Sequence, residues 1–444
     1  MANLALLGGE KTVTIDYEAV ATRPVVCQKG IDAAVEIMKK GEISNSSVVD
    51  VFEAKFKKFV GAEYGACLSN GTSCLQAALF AVGVGAGDEV IVPSFTFWAS
   101  AAPIIATNGV PIFCETDPET HCLDPKDVEA RITPKTKAIM VVHVWGNPAD
   151  MDAIMAIAKK HNLKVVEDCS HAHGSTYKGK KVGTIGDVGC FSMQGSKLLV
   201  AGEGGIFVTN TKEYYERALA LGSYDRLAYI DENSPYRAYG STGMGHKFRP
   251  HPVGIAIANA EIDELEERNK IRNDNAAYLE SLIGDIDFIA LQKSYEGGEK
   301  EFSYHYARFD YEKFGEVSLA TFLKAVAAEG VVCGLCGYGR LHQAKLFTDG
   351  DIMDHHGCPV HCPHADKNRS SAGLSLPRTE YLADTAFMLA PRFENPCKEL
   401  VEQYSAAYHK VAANLDELKK YEAEHADELS KIKPMSGRSI NLFK

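Results

Sequence analysis

The chain has 444 residues, 45% hydrophobic and 24% charged, an ordinary soluble globular mixture long enough for two or three units sharing one body. A formal net charge of -12 implies no basic face for a polyphosphate partner; this argues against nucleic acid but allows a local pocket for a small anion. No apolar run is long enough to span a bilayer, the first residues lack the layout of a signal peptide, and twelve scattered cysteines read as reduced thiols, so a cytoplasmic location is expected.

From about residue 30 to 210 helical and buried-strand patterns alternate. The stretch VVDVFEAKFKKFVG puts Val48, Val49, Phe52, Phe56 and Val60 on one helical face. SCLQAALFAV reads as a second, more buried helix. DEVIVPS is a short apolar strand ending at Pro93, and KAIMVVHVW is another, followed by the amphipathic helix MDAIMAIAKKHN. LKVVEDCS is a strand that ends in acid, and DVGCFSM and GGIFVTN are two more. This alternation predicts an α/β fold, a largely parallel sheet covered on both faces, with ligands beyond the carboxyl ends of the strands.

After residue 253, VGIAIANAEIDELEERNKIRNDNAAYLESLI predicts one long helix or two, bridging to a second domain. Short strands such as HYARFDYE then mix with helices. The stretch SYHYARF is read as an aromatic strand rather than as a wall of the site. Residues 333–375, rich in Gly, His, Cys and Pro, are predicted to be irregular. DELKKYEAEHADELSKIK is a charged helix with a loose tail. The expected division is an N-terminal arm at 1–30, a large domain at 31–255, and a bridging helix with a small C-terminal domain at 256–444.

Three strand ends carry chemistry. Asn70-Gly71-Thr72-Ser73 follows a strand and opens a helix, where free N–H groups and the helix dipole favour an anion. Gly71 lets the anion approach the backbone, while Thr72 and Ser73 add hydroxyls; a plain N-cap is the alternative. Asp168 ends an apolar strand, where it can hold a protonated pyridine nitrogen or simply cap the next turn. His171 and His173 follow it. Lys197 comes after a strand and a polar turn, so it can form a Schiff base, or be only a solvated lysine. Ser192 can reach a phosphate. Taken together, in this order, these groups are the set that pyridoxal 5'-phosphate (PLP) requires.

The stretches NGTSCLQAAL, GDEVIVPSFTFWAS, ITPKTKAIMVVHVWGNPADMDAI, EDCSHAHGS and FSMQGSKLLVAGEGG, in that order, resemble the DegT/DnrJ/StrS group of sugar aminotransferases. The resemblance runs from GGEKTV to the helix near residue 415. It implies a fold-type I PLP transferase: a mainly parallel seven-stranded sheet between helices, plus a smaller α+β C-terminal domain. It implies that Lys197 forms the internal aldimine and shuttles the proton, that Asp168 pairs with the pyridine nitrogen, and that Phe97 stacks on the ring. It further implies that Asn70, Gly71, Thr72 and Ser192 surround the phosphate and that His171 lies near the ring oxygen. A homodimer with shared active sites is implied too. In GHKFRPHP, Lys247 stands where many members have Asn in a loop reaching the neighbouring subunit's phosphate; lysine can bind phosphate as a point charge. Arg249 fits the same loop's pattern.

The details SHAHG and QGSKL…AGEGG resemble two subgroups, glutamine:scyllo-inosose aminotransferases and 3-amino-5-hydroxybenzoate synthases. The expected reaction moves an amino group between glutamate or glutamine and a keto-sugar or keto-cyclitol. Related sugar dehydratases carry histidine in place of the Schiff-base lysine, so Lys197 speaks against that alternative. A non-catalytic PLP-binding regulatory protein is the alternative from another class. Cys333 and Cys336 have C-x-x-C spacing, and His355, His356, Cys358, His361, Cys362 and His364 crowd one segment. No standard finger spacing appears, so a histidine-rich loop with buried thiols, and no metal, is expected.

Overall fold

The computed structural model describes residues 3–432 except 316, 350–357, 361–363, 366–370 and 430. In chain order the strands are β1 (Tyr64–Leu68), β2 (Glu89–Pro93), β3 (Val110–Cys114), β4 (Thr136–Val142), β5 (Lys164–Asp168), β6 (Thr176–Tyr177), β7 (Lys180–Lys181), β8 (Val188–Ser192) and β9 (Gly205–Thr209). There follow β10 (Ile289–Leu291), β11 (Gly298–Glu299), β12 (His305–Phe309), β13 (Gly334–Leu335) and β14 (Ala386–Ala390). Seven form one sheet, ordered β1-β9-β8-β5-β4-β2-β3. Its five strands from β8 to β3 are parallel, β9 is antiparallel to β8, and β1 is antiparallel to β9.

The inner strands are apolar at nearly every position because both faces are covered. Successive residues go to opposite sides. Ile139, Val141 and Val165 join one core with Phe52 and Phe56, while Ala138, Met140 and Val166 join the other with Leu75 and Leu79. Fully burying each large aliphatic side chain contributes about 1.5–3 kcal/mol. The predicted amphipathic helices are present as Val48–Val60 and Met151–His161.

The stretch after residue 251 forms two helices, Pro252–Glu261 and Leu265–Ile283, joined by a 3-10 turn. They lead to a four-stranded sheet, ordered β10-β12-β14-β13. Its aromatic core includes Phe288, Phe309, Phe314, Phe322 and Tyr408, and Leu4, Val13 and Ala21 of the N-terminal segment pack into it. Residues 333–349 hold only β13 and two short helical turns. The charged C-terminal stretch forms the helices Leu415–Glu424 and Ala426–Leu429. Among the described residues no helix is long and apolar enough to cross a membrane.

Candidate active site

Strand register assembles the site. Leu68 and Ser192 both pair with Gly205, which brings the turn after β1 beside the end of β8. One strand further, Asp168 pairs with Cys190 and with Val142. The carboxyl ends of β1, β4, β5 and β8 therefore share one edge, which opens on a cavity of about 570 Å3. Asn70, Gly71, Thr72, Phe97, Asp168, His171, Ser192 and Lys197 all line it.

The helix Gly71–Ala81 starts with a reciprocal cap. Asn70 Oδ1 accepts from Ser73 N at 2.8 Å, and Ser73 Oγ accepts from Asn70 N at 3.1 Å. The cap and the anion site are thus not alternatives. The cap uses the third helical N–H and leaves those of Gly71 and Thr72 without an acceptor among the described residues. Gly71 is glycine for a steric reason: a Cβ there would lie 2.7 Å from Ser192 Cβ. The result is a tight cradle of two N–H groups and the hydroxyls of Thr72 and Ser192, aimed at an anion.

Asp168 is only 5% exposed. Its Oδ2 accepts from Ser100 Oγ at 2.7 Å and its Oδ1 from Ser170 N at 3.1 Å. Two hydrogen bonds leave acceptor capacity on a carboxylate, and no cation among the described residues is within ion-pair distance. A buried carboxylate in that state calls for a cationic partner. The cavity therefore fits a ligand with an anion at one end and a protonated ring nitrogen at the other.

His171 closes the floor. Its Nδ1 accepts from Trp145 N at 3.2 Å, so the proton sits on Nε2, 3.0 Å from the Tyr338 hydroxyl. Burial, with Lys197 and His173 adding to it, holds His171 well below its ordinary pKa, and the ring is neutral. Trp145 makes this contact from a left-handed backbone (φ 57°), a costly conformation for a bulky residue. The next residue, Gly146, also has positive φ, and a Cβ there would lie 1.8 Å from the Glu301 carbonyl oxygen.

Aromatic rings form part of the cavity wall. Trp145 stacks on Tyr306 at 4.0 Å between ring centroids and lies parallel to Tyr338 at 5.9 Å. Tyr304 and Tyr306 both line the cavity, which corrects the reading of SYHYARF as only an aromatic strand. The strand exists as β12; Tyr306 lies on it and Tyr304 just before it. Phe97, 37% exposed, and Trp98, 47% exposed, stand at the mouth.

Two predicted residues lie elsewhere. Lys247 is exposed and does not line this cavity. Arg249 donates to Asn45 at 3.2 Å and pairs with Asp225 at 3.5 Å. Ser100, Trp145 and Tyr338 were not singled out by sequence. Ser100 meets Asp168 across 68 positions and Tyr338 meets His171 across 167, so no local pattern could have marked them.

Cys333 and Cys336 are buried, and burial pushes both thiols up to about 12, so they are protonated. His355, His356, His361 and Cys362 lie outside the described residues. Among those described, His143, Glu167 and Cys169 stand close enough to share an ion. Their bonds are already made. His143 Nδ1 accepts from Ala149 N, and its Nε2 donates to Glu167 at 3.1 Å. Glu167 also accepts from the N–H groups of Gly183, Ile185 and Gly186. This cluster fastens β5 to the turn before β8.

A lysine, a buried carboxylate and free helix-start N–H groups on the carboxyl edge of such a sheet suit a PLP enzyme of fold type I. The chain belongs to the DegT/DnrJ/EryC1/StrS aminotransferase family, whose sequence model matches residues 26–387. It is similar to an L-glutamine:2-deoxy-scyllo-inosose aminotransferase of Streptomyces lividus, 39% identical over 67% of this chain and 70% of that protein. Another of that name, from Micromonospora echinospora, is 37% identical over 69% and 75%. Among solved structures, an aminotransferase from Psychrobacter cryohalolentis superposes with a TM-score of 0.77 at 26% identity, over 89% of this chain and 100% of that one. A 3-amino-5-hydroxybenzoic acid synthase gives 0.73 at 26%, over 89% and 99%.

Proposed function

We propose that this aminotransferase uses PLP to move an amino group between glutamine or glutamate and a six-membered ring ketone, a keto-cyclitol or keto-sugar. The observation that carries it is the convergence of Lys197, the cation-free Asp168 and the uncapped Gly71 and Thr72 N–H groups on one cavity. PLP, when bound, supplies an aldehyde for the amine and a ring that accepts the electrons released from the α-carbon. Gly71, Thr72 and Ser192, beside Asn70, would hold its phosphate, and Asp168 would keep its ring nitrogen protonated. Phe97 and the neutral His171, on the same cavity, would help hold the ring. Lys197 Nζ would bind the aldehyde and hold the proton exchanged with the substrate carbon.

The ketone reading draws on the aromatic wall. Flat rings pack against the C–H face of a saturated ring, and the hydroxyls of Tyr304 and Tyr338 offer hydrogen bonds to its oxygens. The names of the glutamine:inosose relatives point to the same substrate class.

The protein works as a homodimer in this reading, with Lys247 reaching the neighbouring copy's phosphate. Exposed Ile31, Val35 and Met38, three and four positions apart on the helix Gln28–Lys40, form an apolar stripe suited to such an interface. A cytoplasmic location, and the division into an arm at 1–30, a large domain at 31–255 and a small one at 256–444, belong to the same proposal.

The test follows two half-reactions. Purified protein with PLP is mixed with L-glutamine while the cofactor's visible absorbance is followed, then with scyllo-inosose, and the aminocyclitol is sought by mass spectrometry. Loss of the absorbance with glutamine and formation of the amine support the proposal. A protein that stays colourless with PLP refutes it.

A further inference from the structure

Lys197 and Tyr304 stand on the wall between two cavities, the one described above and a second of about 410 Å3. Arg392 lies over the Tyr304 ring, with its guanidinium carbon 5.7 Å from the ring centre, and its Nη1 donates to the Lys197 carbonyl at 3.4 Å.

The Tyr304 hydroxyl belongs to a short relay whose direction is fixed from one end. The Ser196 N–H donates to Gln194 Oε1 at 2.8 Å, so the oxygen of that amide, and not its nitrogen, faces Ser196. Ser196 Oγ stands 2.6 Å from the same oxygen and gives it its only proton. Ser196 Oγ is then left with lone pairs alone, and at 3.2 Å it accepts from the Tyr304 hydroxyl. The Ser196 carbonyl, at 3.5 Å from that hydroxyl, is an acceptor too. The proton of Tyr304 is thus held toward Ser196, and its oxygen has only lone pairs left for the cavity. Among the described residues nothing donates to it. Tyr338 has the opposite polarity: it accepts from His171 Nε2 and keeps its own proton to give. Burial pushes the Tyr304 phenol up, yet the positive charge of Lys197 and Arg392 holds it below its ordinary value. With or without its proton, the open side of this oxygen accepts.

We propose that Tyr304 is a specificity-determining residue that accepts a hydrogen bond from a hydroxyl on the ring carbon next to the ketone, so that the ketone this enzyme takes is an α-hydroxyketone. The inference rests on the aminotransferase reading above and deepens it. That hydroxyl oxygen is two bonds, about 2.5 Å, from the carbon that reacts. Its recogniser must therefore stand beside Lys197, as Tyr304 does. The amino-acid donor offers nothing for Tyr304 there: next to its reacting carbon stand a carboxylate, which has no proton to give, and a methylene.

The experiment compares wild type with Tyr304→Phe, both loaded with PLP. Binding of scyllo-inositol, which carries hydroxyls but no ketone and so cannot react, is measured by calorimetry. Its Kd is expected to rise about tenfold in the variant. The half-reaction from the amino form of the cofactor is then followed with scyllo-inosose and with 3,4,5-trihydroxycyclohexanone, which lacks only the two hydroxyls beside the ketone. The ratio of kcat/KM for the first ketone to that for the second should fall about tenfold in the variant, and so should the ratio of scyllo-inosose to glutamine. No binding to the wild type, an unchanged Kd, or an equal loss with both ketones overturns the role of Tyr304. Ser196→Ala keeps the phenol and removes the group that directs it. A fall of about threefold in the ratio between the two ketones is expected for it, and none in a protein that already carries Tyr304→Phe. Equal falls in both backgrounds overturn the relay. A wild type that reacts with neither glutamine nor scyllo-inosose overturns the aminotransferase proposal instead.

Discussion

Gly71→Ala tests the anion cradle at its tightest point. The added Cβ would meet Ser192 Cβ at 2.7 Å, Ser192 Cα at 3.1 Å and Ser192 Oγ at 3.2 Å, where ordinary contact begins at 3.4 Å. Alanine at the helix start recovers at most about 1 kcal/mol of chain entropy. Overpacking costs about 1–3 kcal/mol, and here the obstacle is a strand held by β5 on one side and β9 on the other. Overpacking wins, and it is the helix start that yields. Its retreat takes the Gly71 and Thr72 N–H groups away from the phosphate. Losing one hydrogen bond to a charged group costs about 1.5–3 kcal/mol, or roughly a 10- to 150-fold rise in the Kd for PLP. Titration of the apoprotein, followed by tryptophan fluorescence, reads this directly. Ser192→Gly removes the obstacle, so the double variant should recover stability that Gly71→Ala loses, with a coupling of about 1–2 kcal/mol in denaturant midpoints. A Gly71→Ala protein with wild-type affinity for PLP would refute the cradle.

Lys197→Ala should abolish both half-reactions, and borohydride should leave no label on the peptide containing residue 197; an active variant removes the lysine from the chemistry. Ser100→Ala deletes the 2.7 Å bond to Asp168, and kcat/KM should fall about 10- to 100-fold without change in circular dichroism; unchanged kinetics refute the role of that bond. Tyr338→Phe leaves the buried His171 Nε2–H without its acceptor, a cost of about 1–3 kcal/mol that should appear in kcat with every amine; a variant impaired with only one amine argues for substrate contact alone. Burial, with Lys197 adding to it, lowers the His173 pKa to about 3, and burial with Lys300 and Arg308 does the same for His121. Both rings are neutral when folded but take a proton near pH 6.5 when unfolded. Their stability is therefore complete above that pH and is lost as the pH falls towards 3, by about 1.4 kcal/mol per unit for each ring. Denaturant midpoints at pH 6 and 5 should show this, and His173→Gln should remove one ring's share of the slope; an unaltered slope contradicts it.

The parts of the site legible in the sequence are those that one strand end carries by itself. Asn70 to Ser73, Asp168 to His171, and Ser192 to Lys197 each follow an apolar run, and a parallel sheet delivers all such ends to one edge. The two patterns in 64–81, strand and then helix, sufficed to mark the helix start that lines the cavity. They could not tell whether Asn70 would compete with an anion for the helix start, because that depends on which N–H groups the cap uses. Lys247 shows the opposite limit: its segment is readable only by resemblance, and within one chain it stands away from the cavity.

The residues that sequence reasoning passed over act across long separations. Ser100 reaches Asp168, Tyr338 reaches His171 and Arg392 reaches Lys197, and each pair brings together two surfaces whose packing no local periodicity describes. Tyr304 and Tyr306 are an intermediate case. Tyr306 lies on β12 and Tyr304 just before it, and the alternation of a strand does not say which side looks into the cavity. That follows from Trp145, whose strained backbone presents its ring to Tyr306 and its N–H to His171. One residue in an unfavourable conformation thus couples the histidine beside Lys197 to the aromatic wall. The residues proposed for the chemistry follow strand ends of the large sheet, while the aromatic side chains proposed to meet the substrate come from segments at 304–306 and 338. The two sets are not independent: Tyr338 bonds to His171 and Tyr304 to Ser196, so a change in the later segments is felt at the residues that follow the strand ends.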